Sequence, residues 1–280
     1  MRNLLALGLL SIWLCASVSL GESRTEFRLF GADLSLLPKL EAAGAVFKDA
    51  GKPGDVIAFL RARGANCVRL RLFVNPNGQA GVVNDLPYTI ALARRVKAAG
   101  MQFYLDLHYS DTWADVRTQL APAAWRYLAF PQLVKTMEKY TVEVVTAFKD
   151  AGVAPDIVQV GNEITNGLLG PAASFENKGV AQDVVFDRLC DLLKAGIRGV
   201  HAALGKSSRV KIVIHIDNGG KLAVTRWFFD NVTKRQVPFD VIALSYYPFW
   251  QGSLTQLQKN LIFAAKTYGK PVLVAETAYP

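Results

Sequence analysis

The sequence predicts an α/β fold, a (β/α)8 TIM barrel, on three observations. Short apolar, β-rich runs ending in polar residues alternate with longer amphipathic stretches, the pattern of a parallel sheet. No glycine-rich phosphate loop follows any strand, which disfavours the doubly wound nucleotide-binding alternative. Polar residues gather at the strand ends: Asp33, Arg71, His108, Asp111, Asn162, Glu163, His215, Asp217, Tyr246, Tyr247 and Glu276. In a barrel the C-terminal strand ends surround the active site.

The first residues read as a targeting segment. Arg2 gives a positive start, Leu4–Leu14 an apolar run, and the small residues Ala16, Ser17, Ser19 and Gly21 follow. That is the layout of a secretory signal peptide spanning 1–21, with cleavage near Gly21. The run is shorter than the ~20 apolar residues of a spanning helix. Trp13, close before Cys15, argues against a lipid-attached cysteine. The expected product is a secreted or periplasmic monomer, free of the membrane after cleavage, with one domain over 22–280. Its 51% hydrophobic content is enough for a single large core.

Seven strands are expected: Phe27–Gly31, Cys67–Val74, Gln102–His108, Ile157–Gly161, Val210–Ile216, Val241–Ser245 and Val272–Ala275. Helical patterns lie between them at Pro53–Arg63, Pro87–Ala99, Pro131–Ala151, Val184–Leu204 and Thr255–Tyr268. Gly64, Gly100, Gly152, Gly205 and Gly269 stop them, as glycines commonly do. The sequence reaches Pro280 just after the seventh strand, so the expected barrel lacks its eighth β/α unit. The first and seventh strands would then carry unpaired edges.

The net charge is +9, and +8 without residues 1–21. Lys and Arg are scattered and no nucleic-acid-binding motif is present, so nucleic acid is not an expected partner. Solubility and a mild attraction to acidic polysaccharide remain. Cys67 and Cys190 have no metal-ligand spacing and read as buried thiols. Asn231-Val232-Thr233 is a glycosylation sequon.

Two carboxylates carry the chemistry. Glu163 closes the fourth strand after Asn162, and Glu276 closes the seventh, 113 residues later. Only a closed barrel brings such tips face to face. Facing carboxylates with separate roles are the working parts of glycoside hydrolysis. The acid must stay protonated near neutral pH and its partner must be ionised, so their environments must differ. His108, Asp111, Trp113, His215 and Asp217 lack a helical metal-binding spacing and read as sugar-binding groups, so no metal site is assigned. Trp113 and Trp250 are candidate stacking platforms, or core residues.

The segments GADLS (31–35), VRLRLF (68–73), DLHYSDTWAD (106–115), APDIVQVGNEITNG (154–167), IVIHIDNG (212–219), SYYPFW (245–250) and ETAYP (276–280) together resemble glycoside hydrolase family 53, the arabinogalactan endo-β-1,4-galactanases. The resemblance implies a retaining mechanism with Glu163 as acid/base and Glu276 as nucleophile. It implies Asn162 at the sugar 2-hydroxyl, one of Tyr246 and Tyr247 on Glu276, and an arginine holding Glu276 ionised. Arg71 is the first choice for that arginine, and Arg69 shares its face by alternation. The substrate would be (arabino)galactan side chains of pectin.

Departures from the family pattern are Gly170, where related sequences usually carry Trp, and Val116-Arg117 in place of Pro-Gly. No cofactor is expected, although some bacterial members bind calcium in late loops that this sequence does not reach. The competing functions are another retaining barrel β-glycanase, or a carbohydrate-binding fragment with impaired catalysis.

Overall fold

The computed structural model describes residues 28–278. The segment expected as a signal peptide, and Phe27, lie outside the described residues. Seven strands form one sheet: β1 (Gly31–Asp33), β2 (Cys67–Leu72), β3 (Gln102–Leu107), β4 (Ile157–Val160), β5 (Lys211–Ile216), β6 (Val241–Ser245) and β7 (Val272–Glu276). They neighbour one another in chain order, and every pair is parallel. A flat sheet would hold β2 and β7 about 24 Å apart, five strand spacings. Yet Arg69 on β2 reaches Glu276 on β7 at 3.0 Å. The sheet is therefore curled into an incomplete barrel. Within the described residues, β1 pairs only with β2 and β7 only with β6.

Helices connect the strands: α1 (Leu37–Ala42), α2 (Val56–Ala62), α3 (Leu86–Ala98), α4 (Phe130–Asp150), α5 (Gln182–Leu204), α6 (Leu222–Lys234) and α7 (Leu254–Tyr268). Their starts follow local chemistry. Asp55 and Asp85 accept N–H bonds in the first turns of α2 and α3, and Ser253 with Gln256 forms a capping box on α7. The longest pair, α4 and α5, approach closely at Gly199, where a Cβ would lie 2.6 Å from Thr141 Cβ.

The first strand begins later than the expected Phe27–Gly31. Phe30 N–H donates to the Asn66 side chain, whose amide donates to Arg28 O, and Phe30 O accepts from Asn66 N–H, so residues 28–30 are tied to the single residue Asn66 ahead of the ladder. The ladder starts at Gly31, where a Cβ would lie 1.8 Å from Cys67 O. Cys67 and Cys190 are buried free thiols, both pushed up to about 12 by burial. Asn231 sits inside α6 with its amide donating to Trp227 O and accepting from Arg235, which makes the sequon a poor glycan acceptor.

Inward-pointing residues alternate along each strand and form layers. The lower layer is apolar: Cys67, Tyr104, Ile157, Val213, Val241 and Ala243 pack together. Two residues further along, the strands turn inward Arg69, Asp106, Gln159, His215 and Ser245, all buried. The barrel is thus capped from within by a polar layer, and the site stands on it.

Candidate active site

A cleft of about 640 Å³ opens at the C-terminal strand ends, with both Glu163 and Glu276 in its wall. Glu276 Oε1 lies 3.0 Å from Arg69 Nη2, and its Oε2 accepts from Tyr247 Oη at 3.1 Å. Burial alone would raise the Glu276 pKa, but Arg69 outweighs it and the carboxyl titrates below the usual carboxylate range. His215 contributes little charge, because burial pushes its own pKa down to about 4 and leaves it neutral. Tyr247, beside that carboxylate and partly desolvated, is pushed up and keeps its proton.

Glu163 is treated differently. Among the described residues it has no cation beside it; burial raises it to about 7, the Glu276 charge adds to the rise, and a hydrogen bond with Ser245 opposes it. Its backbone is left-handed, with φ 46°, at the turn from β4 into the short 3₁₀ segment Ile164–Asn166. A non-glycine residue there costs about 1–2 kcal/mol. Gln119 holds the turn: its amide donates to Asn162 O at 2.8 Å, to Asp115 O at 2.9 Å, and lies 3.3 Å from Glu163 O.

The polar layer fixes the floor. Arg69 Nη2 meets Asn162 Oδ1 at 2.8 Å and Asp106 Oδ2 at 2.9 Å, while Nη1 meets Asp33 at 3.1 Å. Gln159 donates to Asp106 Oδ1 at 2.7 Å and accepts from Tyr104 Oη at 2.7 Å. His108 Nδ1 accepts from Ala114 N–H, which leaves the ring proton on Nε2, 2.9 Å from Asp106 Oδ2. Burial works against Asp106, yet Arg69 and His108 hold it down at about 2. One buried cation therefore serves three carboxylates: Asp33, Asp106 and Glu276.

One carboxyl poised to give a proton and one held ionised, in a single cleft, can divide acid and nucleophile work on an acetal. Residues 29–280 match the family model of glycosyl hydrolase family 53. The chain belongs to that family. As a member of family 53 it is a glycoside hydrolase. It is 41% identical to an uncharacterised protein encoded in the bgaB 5′ region of Niallia circulans, over 92% of this chain and 69% of that one. It is 39% identical to a probable arabinogalactan endo-β-1,4-galactanase A of Neosartorya fischeri, over 97% of this chain and 75% of that one. A solved structure of fungal β-1,4-galactanases superimposes with a TM-score of 0.81 at 36% identity, covering 89% of this chain and 74% of that one.

Of the residues singled out in the sequence, Asp33, Arg71, His108, Trp113, Asn162, Glu163, Tyr247 and Glu276 line the cleft of this family 53 chain. Arg69, not Arg71, reaches the Glu276 carboxylate. Arg71 sits nearer the rim, where it pairs with Asp33 at 3.0 Å and covers the Trp113 ring at 4.4 Å. One face of Trp113 is therefore taken by a guanidinium, and its Nε1 donates to Ala80 O.

Five other residues fall outside the cleft lining. His215 lies beneath it, fully buried between Asn162, Gln159 and Ser245. Asp217 is consumed by Thr165 and Asn218. Asp111 accepts from Ala123 N–H and so ties its own loop. Tyr246 Oη donates to Gly252 O in the turn after β6. Trp250 is 67% exposed and stacks on Tyr247 at 5.5 Å, beyond the cleft wall.

Asp106, Gln159, Asp115 and Gln119 were not singled out. Asp106 and Gln159 do carry a signal, each a lone polar residue inside an apolar strand. Among the described residues no three of His, Cys, Asp or Glu cluster as metal ligands, and no helix is long and apolar enough to cross a membrane.

Proposed function

We propose that this family 53 chain is a secreted endo-β-1,4-galactanase that cleaves the (arabino)galactan side chains of pectin with net retention of configuration. The observation that carries the mechanism is the opposite tuning of two carboxyls in one cleft: Glu163 up to about 7, Glu276 below the ordinary range. The galactan substrate rests on the relatives, which include arabinogalactan endo-β-1,4-galactanases.

The geometry supports a double displacement. Glu276, ionised beside Arg69, attacks the anomeric carbon while Glu163 gives its proton to the departing glycosidic oxygen. A galactosyl ester of Glu276 forms and the shortened chain leaves. Glu163, now a carboxylate, takes a proton from water, which attacks the same carbon and frees Glu276. Arg69 and Tyr247 offset charge on Glu276 before attack and receive it again on release. Asn162 retains one amide hydrogen beyond its bond to Ala114 O, and this is the donor for the sugar 2-hydroxyl. Asp33 and Arg71 offer hydrogen bonds from the opposite wall, and Trp250 extends the surface past Tyr247.

Hydrolysis of linear β-1,4-galactan, β-mannan and cellulose, measured side by side, tests this reading. Galactan should be cut internally and the other two hardly at all. Efficient mannan cleavage without galactan cleavage would overturn the substrate. Galactan binding with no hydrolysis would make the chain a binding protein.

A further inference from the structure

A second groove, about 540 Å³, lies at the opposite end of the barrel from the catalytic cleft. It is built where β3, β4 and β5 begin and α3, α4 and α5 end, with Lys97, Lys149, Arg209 and Lys211 in its wall and Asp156 as its acid. Asp156 is already matched: Lys97 Nζ lies 2.6 Å from its Oδ2, and Phe103 N–H donates to the same oxygen. Three cations are left over. Lys97 and Lys149 close helices, where a cation complements the dipole, and Lys149 donates to Ala203 O of α5. Arg209 and Lys211 have no such role. They flank buried Val210, project from one exposed face, and among the described residues have no carboxylate within ion-pair distance.

We propose that this basal groove binds a carboxylated polysaccharide, a chain of uronate residues. A neutral galactan offers no anion to such a groove, whereas a uronate chain supplies carboxylates for the cations. Its position leaves the catalytic cleft open, so the enzyme held by a uronate strand can still cut neutral chains nearby. The choice of polysaccharide over other polyanions rests on the proposed action on galactan. The binding itself is measured without hydrolysis, so either can fail alone.

The test is affinity electrophoresis of the full chain through gels holding polygalacturonate, linear galactan or a single-stranded polynucleotide, at about 20 mM and 300 mM salt. Polygalacturonate should retard the protein at low salt, the retardation should fade at high salt, and the polynucleotide should act more weakly. Arg209→Glu/Lys211→Glu should weaken the polygalacturonate interaction at least tenfold and Arg209→Gln/Lys211→Gln less, with turnover of soluble galactan unchanged as the check on folding. No retardation of the parent protein, or equal retardation of both variants, would overturn the site. Equal or stronger retardation by the polynucleotide would overturn the partner.

Discussion

Glu163→Gln should stabilise this protein at pH 8 and leave it nearly unchanged at pH 4. Among the described residues Glu163 has no cation to stabilise its charge, and burial, with Glu276 nearby, holds its carboxyl at about 7 instead of the ordinary 4.5. A raised carboxyl pKa means that the folded state prefers the protonated form. The penalty for ionising it is absent below 4.5, grows as the pH rises towards 7, and is complete above 7. At 1.36 kcal/mol per pH unit of difference, the full penalty is about 3 kcal/mol. Glutamine keeps the shape and removes the charge, so about that much stability returns at pH 8 and only a few tenths of a kcal/mol at pH 4. For a chain of this size the gain at pH 8 corresponds to roughly 6 °C in Tm. Thermal or urea unfolding of both proteins at the two pH values measures it. An equal gain at both, or a loss at pH 8, would refute the idea that ionised Glu163 is held at a cost.

Activity on galactan should follow a bell in pH: it is lost as the pH rises through about 7, when Glu163 gives up its proton, and as it falls below the depressed Glu276 value; steady-state kcat/KM across pH checks both limbs. Tyr247→Phe removes the 3.1 Å bond to Glu276. It should lower kcat/KM about tenfold, the low side for a charged hydrogen bond at a half-exposed site, and shift the acidic limb upward; an unmoved limb contradicts the contact. Gln119→Leu frees the Glu163 turn. It should lower kcat/KM on galactan about tenfold while sparing kcat/KM on a dinitrophenyl galactobioside, whose leaving group needs no proton in the first step; equal losses of kcat/KM on both substrates would deny Gln119 a role in positioning the acid.

The repeat of strand and helix, the seven strands and both glutamates were legible in the sequence, because each rests on local pattern: period-two runs, glycine stops, a carboxylate at a strand tip. What was not legible depends on depth within the barrel. Arg69 and Arg71 share a face by alternation, and only the curl of the sheet decides that the lower one reaches across to β7. His215 and Asp217 look like cleft residues because they end a strand. In the fold the 3₁₀ turn after Glu163 brings Thr165 over Asp217, and Ser245 from β6 closes on His215. Gln159 shows the reverse. It sits in an apolar run, and its partners Asp106 and His215 come from β3 and β5, both distant in sequence.

The division of labour between the glutamates is tested most directly by rescuing Glu276→Ala with azide on dinitrophenyl galactobioside. With the nucleophile removed, azide enters from the vacated side while Glu163 stays in place, and the product should be the α-galactobiosyl azide, identified by NMR. A β-galactobiosyl azide would mean that Glu276 is the acid/base and that the roles argued from the cleft are reversed.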